Sequence, residues 1–518
     1  MTVRDQLLAL AEVDRPGLRA GDASWTWAEV VAAGCDRAAA LADLLDPDLP
    51  PHVGVLLANV PEFVHALDAA ALGGLVVVGL NSTRRGAALA GDVARADCQV
   101  VLTDAEHAPL LDGLDLGVPV VDVDGPDWRS RVAWHAGSPV PDVAVDDDTL
   151  LMLVFTSGTS GDPKAVRVTH AKVAGPGAML AERFGLDGED TAYVSMPLFH
   201  SNAVMAGWGP ALAGGACVAL APRFTASGFL PDVRRYAATY ANYVGKPLTY
   251  VLATPERDND ADNPLRLVFG NEADERSIAD FARRFGCEVV DSYSSTENAV
   301  IVQRRPGMPP GALGWPLPGI EVLDPETGER TADAVLLDGR LVNGDEAVGE
   351  LVNTAGAGAF AGYYNDPDAE SERMRGGMYW SGDLAYRDPE GWIHFAGRTA
   401  DWLRVDGENL AAAPIERILA RHPAVARAAV YAVPDERVGD QVMAALVPAG
   451  DLTPESFEAF LADQADLSPK AWPRFVRVTE HLPSTATHKV LKRDLAAQGP
   501  TAGDGVLWVR AERGTAYR

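Results

Sequence analysis

Nine consecutive residues offer the most concentrated chemistry in the chain. They are Thr156-Ser157-Gly158-Thr159-Ser160-Gly161-Asp162-Pro163-Lys164, directly after the apolar run Leu150–Phe155. Glycine supplies backbone freedom and uncovered N–H groups, the hydroxyls add donors, and the lysine adds a mobile positive charge. Together they suit a loop that wraps a polyphosphate. This is not a Walker A loop, which needs a glycine five residues after the first, because Pro163 stands five beyond Gly158. The plainer alternative is a polar surface loop. Lysine tips the reading toward phosphate, since only six occur (Lys164, Lys172, Lys246, Lys470, Lys489 and Lys492) and the other 38 of 44 cations are arginine.

Four further segments carry related side chains. Ser292-Tyr293-Ser294-Ser295-Thr296-Glu297 joins an aromatic face, hydroxyls and one carboxylate. Tyr379-Trp380-Ser381-Gly382-Asp383 and Gly397-Arg398-Thr399-Ala400-Asp401 set Asp383 and Arg398 fifteen residues apart, flanking a predicted hairpin. Pro483-Ser484-Thr485-Ala486-Thr487-His488-Lys489 ends on another of the scarce lysines. With the first run, and in this order, these segments resemble the motifs of the adenylate-forming superfamily. That superfamily includes acyl-CoA synthetases, aryl-CoA ligases, luciferases and peptide-synthetase adenylation domains. The resemblance covers essentially the whole chain, and its texture is closest to actinobacterial fatty-acyl-CoA ligase-like enzymes.

The resemblance implies a role for each position. Thr156, Ser157, Gly158, Thr159, Ser160, Gly161 and Lys164 would bind the ATP phosphates, with Thr296 donating its hydroxyl to them. Glu297 would ligate Mg²⁺, which prefers one or two carboxylates beside phosphate oxygens and water. Tyr293 and Ser294 would border the nucleotide, the tyrosine offering a flat face to adenine. The Gly270-Asn271-Glu272 loop, which follows a strand, would present backbone to the adenine edge. Asp383 and Arg398 would reach the ribose, and Ala400 and Asp401 would form a hinge. Lys489 would catalyse adenylation, bridging the acid's carboxylate and the α-phosphate as charge develops. In Met196-Pro197-Leu198-Phe199-His200-Ser201-Asn202, His200 would border the acyl site and gate access to the thiol, with Ser201 and Asn202 beside it. Met205 to Trp208 reads equally as pocket wall or as core.

Some positions depart from the family's pattern. Ser294 stands where glycine usually opens the acyl tunnel, which argues against a long fatty acid. Asn298 also replaces a common glycine and would make the same wall more polar. His488 replaces the glycine that usually precedes the catalytic lysine, and Ala400 sits where aspartate or lysine is common.

The elements that must position these groups alternate along the first third. Val53 to Ala58, Gly74 to Leu80, Gln99 to Thr103 and Val118 to Val123 read as strands, with Pro61 to Leu72 as a helix, a βαβ pattern that predicts a buried, mostly parallel sheet. Leu267 to Phe269 and Glu288 to Asp291 read as later strands. Beyond residue 398 the texture changes: Pro414 to Arg421 and Glu455 to Gln464 read as helices and Ala424 to Val433 as a strand. The expected fold class is α/β, with a large N-terminal domain of mostly parallel sheets (1–398) and a small α+β C-terminal domain (399–518) joined by a hinge.

Composition narrows the partners. The chain has 518 residues, 44 Lys+Arg against 73 Asp+Glu and a net charge of −29, which disfavours nucleic acid and anionic membrane. Four dispersed cysteines fit a reducing compartment, and the histidines show no metal-ligand spacing apart from the implied role of His200. No secretory pattern and no membrane-length apolar run is visible, so cytoplasmic location without membrane insertion is expected. A homodimer is allowed. The expected function is ATP- and Mg²⁺-dependent activation of a small-molecule acid as its acyl-adenylate, followed by transfer to CoA. The alternatives are a diazotase that activates nitrite for an aryl amine, and an acyl-AMP ligase that loads a carrier protein.

Overall fold

The computed structural model describes residues 1–156, 163–273, 275–337, 340–398, 402–405, 408–435, 439–464, 467, 469–484, 490–511 and 514–518. Contacts divide the chain into two units. One is 1–298 with 359–371, and the other is 299–358 with 372–518. The expected boundary at 398/399 falls inside the second unit.

The first unit is built on two largely parallel sheets. One runs Val120–Asp122, Val100–Thr103, His52–Leu56, Val76–Gly79, Leu150–Thr156 and Lys164–Thr169, parallel except for the last pair, which is an antiparallel hairpin. The other runs Glu288–Asp291, Leu267–Asn271, Tyr240–Val244, Thr191–Val194, Cys217–Leu220, Pro16–Ala20 and Ala23–Thr26, antiparallel only at its last pair. Central strands such as Val76–Gly79 and Val100–Thr103 are buried at every position, as expected for parallel strands covered on both faces. Their boundaries depart from the sequence expectation by only a few residues.

Helix ends follow their local chemistry. Pro61–Gly73 opens on proline, whose fixed φ suits the first turn, and ends at Gly74 with φ 66°. His170–Phe184 opens where the Thr169 side chain accepts from the Lys172 N–H and ends at Gly185 with φ 59°. An aromatic core of Phe229, Phe281, Phe285, Tyr193, Tyr236 and Tyr243 fills one face of the second sheet.

Among the described residues the second unit holds two larger sheets and a two-stranded pair, Leu336–Leu337 with Arg340–Leu341. The first is antiparallel and orders Val302–Gln303, Ala312–Pro316, Ile393–Arg398, Met378–Arg387, Gly349–Asn353 and Ile320–Leu323, with Met374–Arg375 paired to the long central strand. The second orders Glu408–Ala411, Trp402–Val405, Gly439–Pro448, Phe475–Val478 and Val506–Val509, with Val425–Asp435 also paired to Gly439–Pro448. The helices Ala412–Leu419 and Pro454–Ala462 supply Ile415, Leu419, Phe457 and Leu461 to its core. Val506–Val509 forms an antiparallel strand against Phe475–Val478, so the chain beyond the weakly patterned 499–505 segment does pack. Among the described residues no helix is long and apolar enough to cross a membrane.

Candidate active site

The phosphate-loop expectation begins at a hairpin. Leu150–Thr156 and Lys164–Thr169 pair antiparallel with Thr156 opposite Lys164, so both ends of the intervening loop are anchored in the sheet. Ser157, Gly158, Thr159, Ser160 and Gly161 lie outside the described residues. Lys164 is only 4% exposed, and its ammonium stands 5.4 Å from the centroid of the Tyr363 ring. Tyr363 is itself pinned to this hairpin. It bridges Val166, Arg167 N–H donates to the Gly362 carbonyl at 3.1 Å, and Tyr364 N–H donates to the Ala165 carbonyl at 2.8 Å.

From there the Tyr363 hydroxyl donates to Glu297 Oε1 at 2.9 Å. One tyrosine therefore joins the loop lysine to the carboxylate of a segment 133 residues away, counting from Lys164 to Glu297. Thr296, one position earlier, shares a 2.9 Å hydroxyl–hydroxyl hydrogen bond with Ser201. The hairpin that ends on Lys164–Thr169, the Ser292–Glu297 segment and the His200–Asn202 segment thus converge within the first unit.

A chain of amides sets the floor beneath them. Asn242 Nδ2 donates to Asn202 Oδ1 at 2.7 Å, and Asn202 Nδ2 donates to the Tyr243 carbonyl at 2.9 Å and to Asn271 Oδ1 at 3.2 Å. Asn271 Nδ2 in turn donates to the Ser292 carbonyl at 2.6 Å. Gly270 is required beside it, because a Cβ there would fall on the Tyr243 carbonyl oxygen and ring. Glu272 continues the loop with φ 67°, a left-handed conformation uncommon outside glycine and asparagine. Tyr293 and Ser294 lie in the connecting loop, and Ser294 is exposed.

Asn298 has φ 53°, and its N–H donates to the Ser295 carbonyl at 3.1 Å. A glycine would adopt that left-handed conformation freely, and asparagine is among the few other residues that tolerate it. Its first-order constraint is therefore conformational.

The His200 segment is held from two sides. Asn59 Nδ2 donates to the Met196 carbonyl at 2.8 Å, while Leu198 N–H donates to Asn59 Oδ1 at 2.9 Å. Gly79 lies flat against the backbone of Phe199, where a Cβ would come within 2.9 Å of the Phe199 carbonyl oxygen. His200 packs on Phe199 with ring centroids 4.5 Å apart, and burial pulls its imidazole down to about 4, so it is neutral at physiological pH. Ala203–Trp208 then forms a π-helical turn, a geometry frequent at functional sites. Trp208 and Val204 in that turn are core residues.

In the second unit, the strands Met378–Arg387 and Ile393–Arg398 form the predicted hairpin and place Asp383 directly opposite Arg398. Asp383 is buried, and its N–H donates to Ser381 Oγ at 3.1 Å. Gly382, with φ 73°, turns its N–H onto Glu350 Oε1 at 2.7 Å. Ala400, Asp401 and Lys489 lie outside the described residues.

Sequence reasoning missed Asn59, Asn242, Tyr363 and the burial of Lys172. Tyr363 carried a visible signal in the Gly- and Tyr-rich stretch that ends at Tyr364, and Lys172 one in the scarcity of lysine. The two asparagines carried none, because their value lies in contacts far apart in sequence.

The AMP-binding enzyme family matches residues 8–364, and the C-terminal domain of the same enzymes matches 414–489. A medium/long-chain-fatty-acid–CoA ligase of Mycobacterium tuberculosis is 54% identical over 98% of this chain and 99% of its own length. A steroid-22-oyl-CoA synthetase of Rhodococcus jostii is 50% identical over 96% of this chain and 91% of its own. Among solved structures, ATP-bound MatB from Rhodopseudomonas palustris superposes with a TM-score of 0.82 at 22% identity, covering 96% of this chain and 99% of that one. At that identity the superposition speaks for the fold alone.

Proposed function

The chain belongs to the AMP-binding enzyme family, and on that premise we propose that it is an AMP-forming ligase that joins an apolar carboxylic acid to coenzyme A. A carboxylate oxygen of the acid attacks the α-phosphorus of ATP, the α–β anhydride bond breaks, and pyrophosphate leaves. The CoA thiol, losing its proton, then attacks the acyl carbon, forming the thioester and releasing AMP. Two substitutions with good leaving groups replace one direct condensation.

The observation that carries this reading is the convergence of Lys164, Tyr363, Glu297, Thr296 and Ser201. It sets a cation, a fixed carboxylate and two hydroxyls around one place. Phosphoryl-group chemistry depends mostly on such positioning and on electrostatic stabilisation. Lys164 would neutralise phosphate charge, and the Thr296 hydroxyl, oriented by Ser201, would donate to a phosphate oxygen. Asp383 and Arg398 would hold the ribose, and Lys489 would bridge the carboxylate and α-phosphate. Rotation about Ala400–Asp401, with a moving part that begins at 399, would exchange the adenylation and thioester steps. Neutral His200, which cannot donate a second proton, suits a gate beside the acyl group better than an acid.

Magnesium fits the donor set. Among the described residues no three His, Cys, Asp or Glu side chains cluster, and the carboxylate this segment would offer the cation is that of Glu297. That is the arrangement Mg²⁺ favours when phosphate oxygens and water complete its shell. When bound, Mg²⁺ would neutralise charge on the triphosphate. Tyr363, by holding Oε1, would keep Glu297 from swinging away.

The two relatives described above are named for acids with large apolar bodies, which supports a fatty or steroid-derived acid as substrate, against the expectation drawn from Ser294. Both are CoA ligases, which favours CoA over a carrier protein and over nitrite chemistry. The test is pyrophosphate release across fatty, steroid-side-chain, aryl and amino-aryl acids, with and without CoA or nitrite. Apolar acids should release pyrophosphate and form thioesters. Lys489→Ala should lose ~10²–10³ in pyrophosphate release while still converting preformed acyl-adenylate. Release that needs nitrite and an aryl amine would refute the reading.

A further inference from the structure

The strand Met378–Arg387 is irregular at the residues expected to reach the ribose. Against Gly349–Asn353 its register sets Trp380 opposite Val352 and Leu384 opposite Glu350. Leu351 therefore faces three residues, Ser381, Gly382 and Asp383, and the bulge they form carries the aspartate of the site. Bulges recur beside functional sites because they re-aim a side chain, but they also detach backbone groups from the ladder. Each detached group needs another partner.

Two side chains supply those partners. Glu350 Oε1 accepts from the Gly382 N–H at 2.7 Å. Ser381 Oγ accepts from the Asp383 N–H at 3.1 Å and donates to the Leu351 carbonyl at 2.6 Å. Glycine is required between them, because φ at Gly382 is 73° and a Cβ there would fall on the Arg373 guanidinium.

Glu350 is itself fixed. It is only 3% exposed, where a carboxylate is costly unless paired. Its other oxygen, Oε2, accepts from the Arg375 guanidinium at 2.8 Å, and that guanidinium stands 3.9 Å from the centroid of the Trp380 ring, the residue just before the bulge. Both oxygens are thus engaged within the protein, so any influence of Glu350 on a nucleotide passes through the bulge and Asp383.

We propose that Glu350 and Ser381 are positioning residues for nucleotide binding, fixing the bulge so that the Asp383 carboxylate is set for the ribose hydroxyls before ATP arrives. The proposal rests on reading Asp383 as the ribose-binding carboxylate. Such preorganisation shows in the affinity for a nucleotide that carries the hydroxyls, and not in the affinity for one that lacks them.

The test is calorimetric titration of the full-length protein with ATP and with 2′,3′-dideoxyATP, both with Mg²⁺, a readout that needs no acid. Wild type should prefer ATP, and Asp383→Ala should remove that preference. Glu350→Ala should weaken ATP about tenfold and leave 2′,3′-dideoxyATP near its wild-type affinity. Adding Glu350→Ala to Asp383→Ala should weaken ATP no further, because the effect passes through that carboxylate. Glu350→Gln, which still offers Gly382 an acceptor, should stay close to wild type.

Ser381→Ala, a smaller change, should narrow the preference for ATP in the same way, and it carries the test if Glu350→Ala does not fold. If the alanine variants weaken both nucleotides equally, the two side chains serve stability alone and the proposal falls. A preference lost in Asp383→Ala but kept in Glu350→Ala and Ser381→Ala overturns the proposal by itself. A preference kept in Asp383→Ala overturns the ribose reading, and the proposal with it.

Discussion

At the scale of single residues, Asn298 shows how one position can be read in two ways. Its identity beside Glu297 suggests a more polar pocket wall, while its φ of 53° accounts for it by backbone geometry alone. Asn298→Gly should therefore leave stability and substrate profile nearly unchanged. Asn298→Val should cost ~1–2 kcal/mol, the strain of a branched residue in the left-handed region. Denaturant titration of both variants decides it, and equal behaviour of glycine and valine would contradict the conformational reading. The residues that carry charge or a hydroxyl in recognisable runs, such as Thr296, Glu297 and Asp383, were legible in the sequence. Tyr363 stood out only by composition, as an aromatic residue in a Tyr-rich stretch, and gains its meaning from the hydroxyl it donates to Glu297.

At the scale of elements, the site depends on loops held by distant strands. Asn59, just after His52–Leu56, bonds both the Met196 carbonyl and the Leu198 N–H, and so sets the path of the segment that carries His200, Ser201 and Asn202. Asn59→Ala would leave two buried backbone groups unpaired, at a cost of about 2–4 kcal/mol. It should also raise KM for the acid more than KM for ATP if the displaced segment borders the acyl side, as proposed. A thermal scan with the two KM values checks this, and an unchanged acid KM would remove Asn59 from the site's support. Strand identities here were readable from runs such as Val76–Gly79, since buried parallel strands are apolar throughout. The clamp was not, because its partners are 137 and 139 residues apart and no local pattern records them.

At the scale of the whole molecule, buried imidazoles tie stability to pH. Burial holds His170 down to about 4, and neither ring nitrogen has a hydrogen-bond partner among the described residues. The unfolded chain binds more protons wherever the folded value is depressed. This contribution is therefore complete above the ordinary value of ~6.5 and is lost as pH falls toward 4. For His170 it is on the order of 3 kcal/mol. The denaturation midpoint should fall between pH 7 and pH 5, and His170→Leu should flatten that fall. An identical slope in the variant would show that other groups govern acid stability. The general α/β architecture and the ordered motifs were legible because each rests on local composition. The division of contacts was not, since 299–358 and 372–398 group with the C-terminal residues through contacts that no single stretch announces. The central claim, an acyl-adenylate passed to CoA, is tested most directly by rapid quench of a single turnover with α-labelled ATP and an apolar acid. The account predicts labelled acyl-adenylate on the enzyme without CoA, converted to AMP and acyl-CoA when CoA is added. Label recovered in ADP, or no adenylate with any acid, would contradict it.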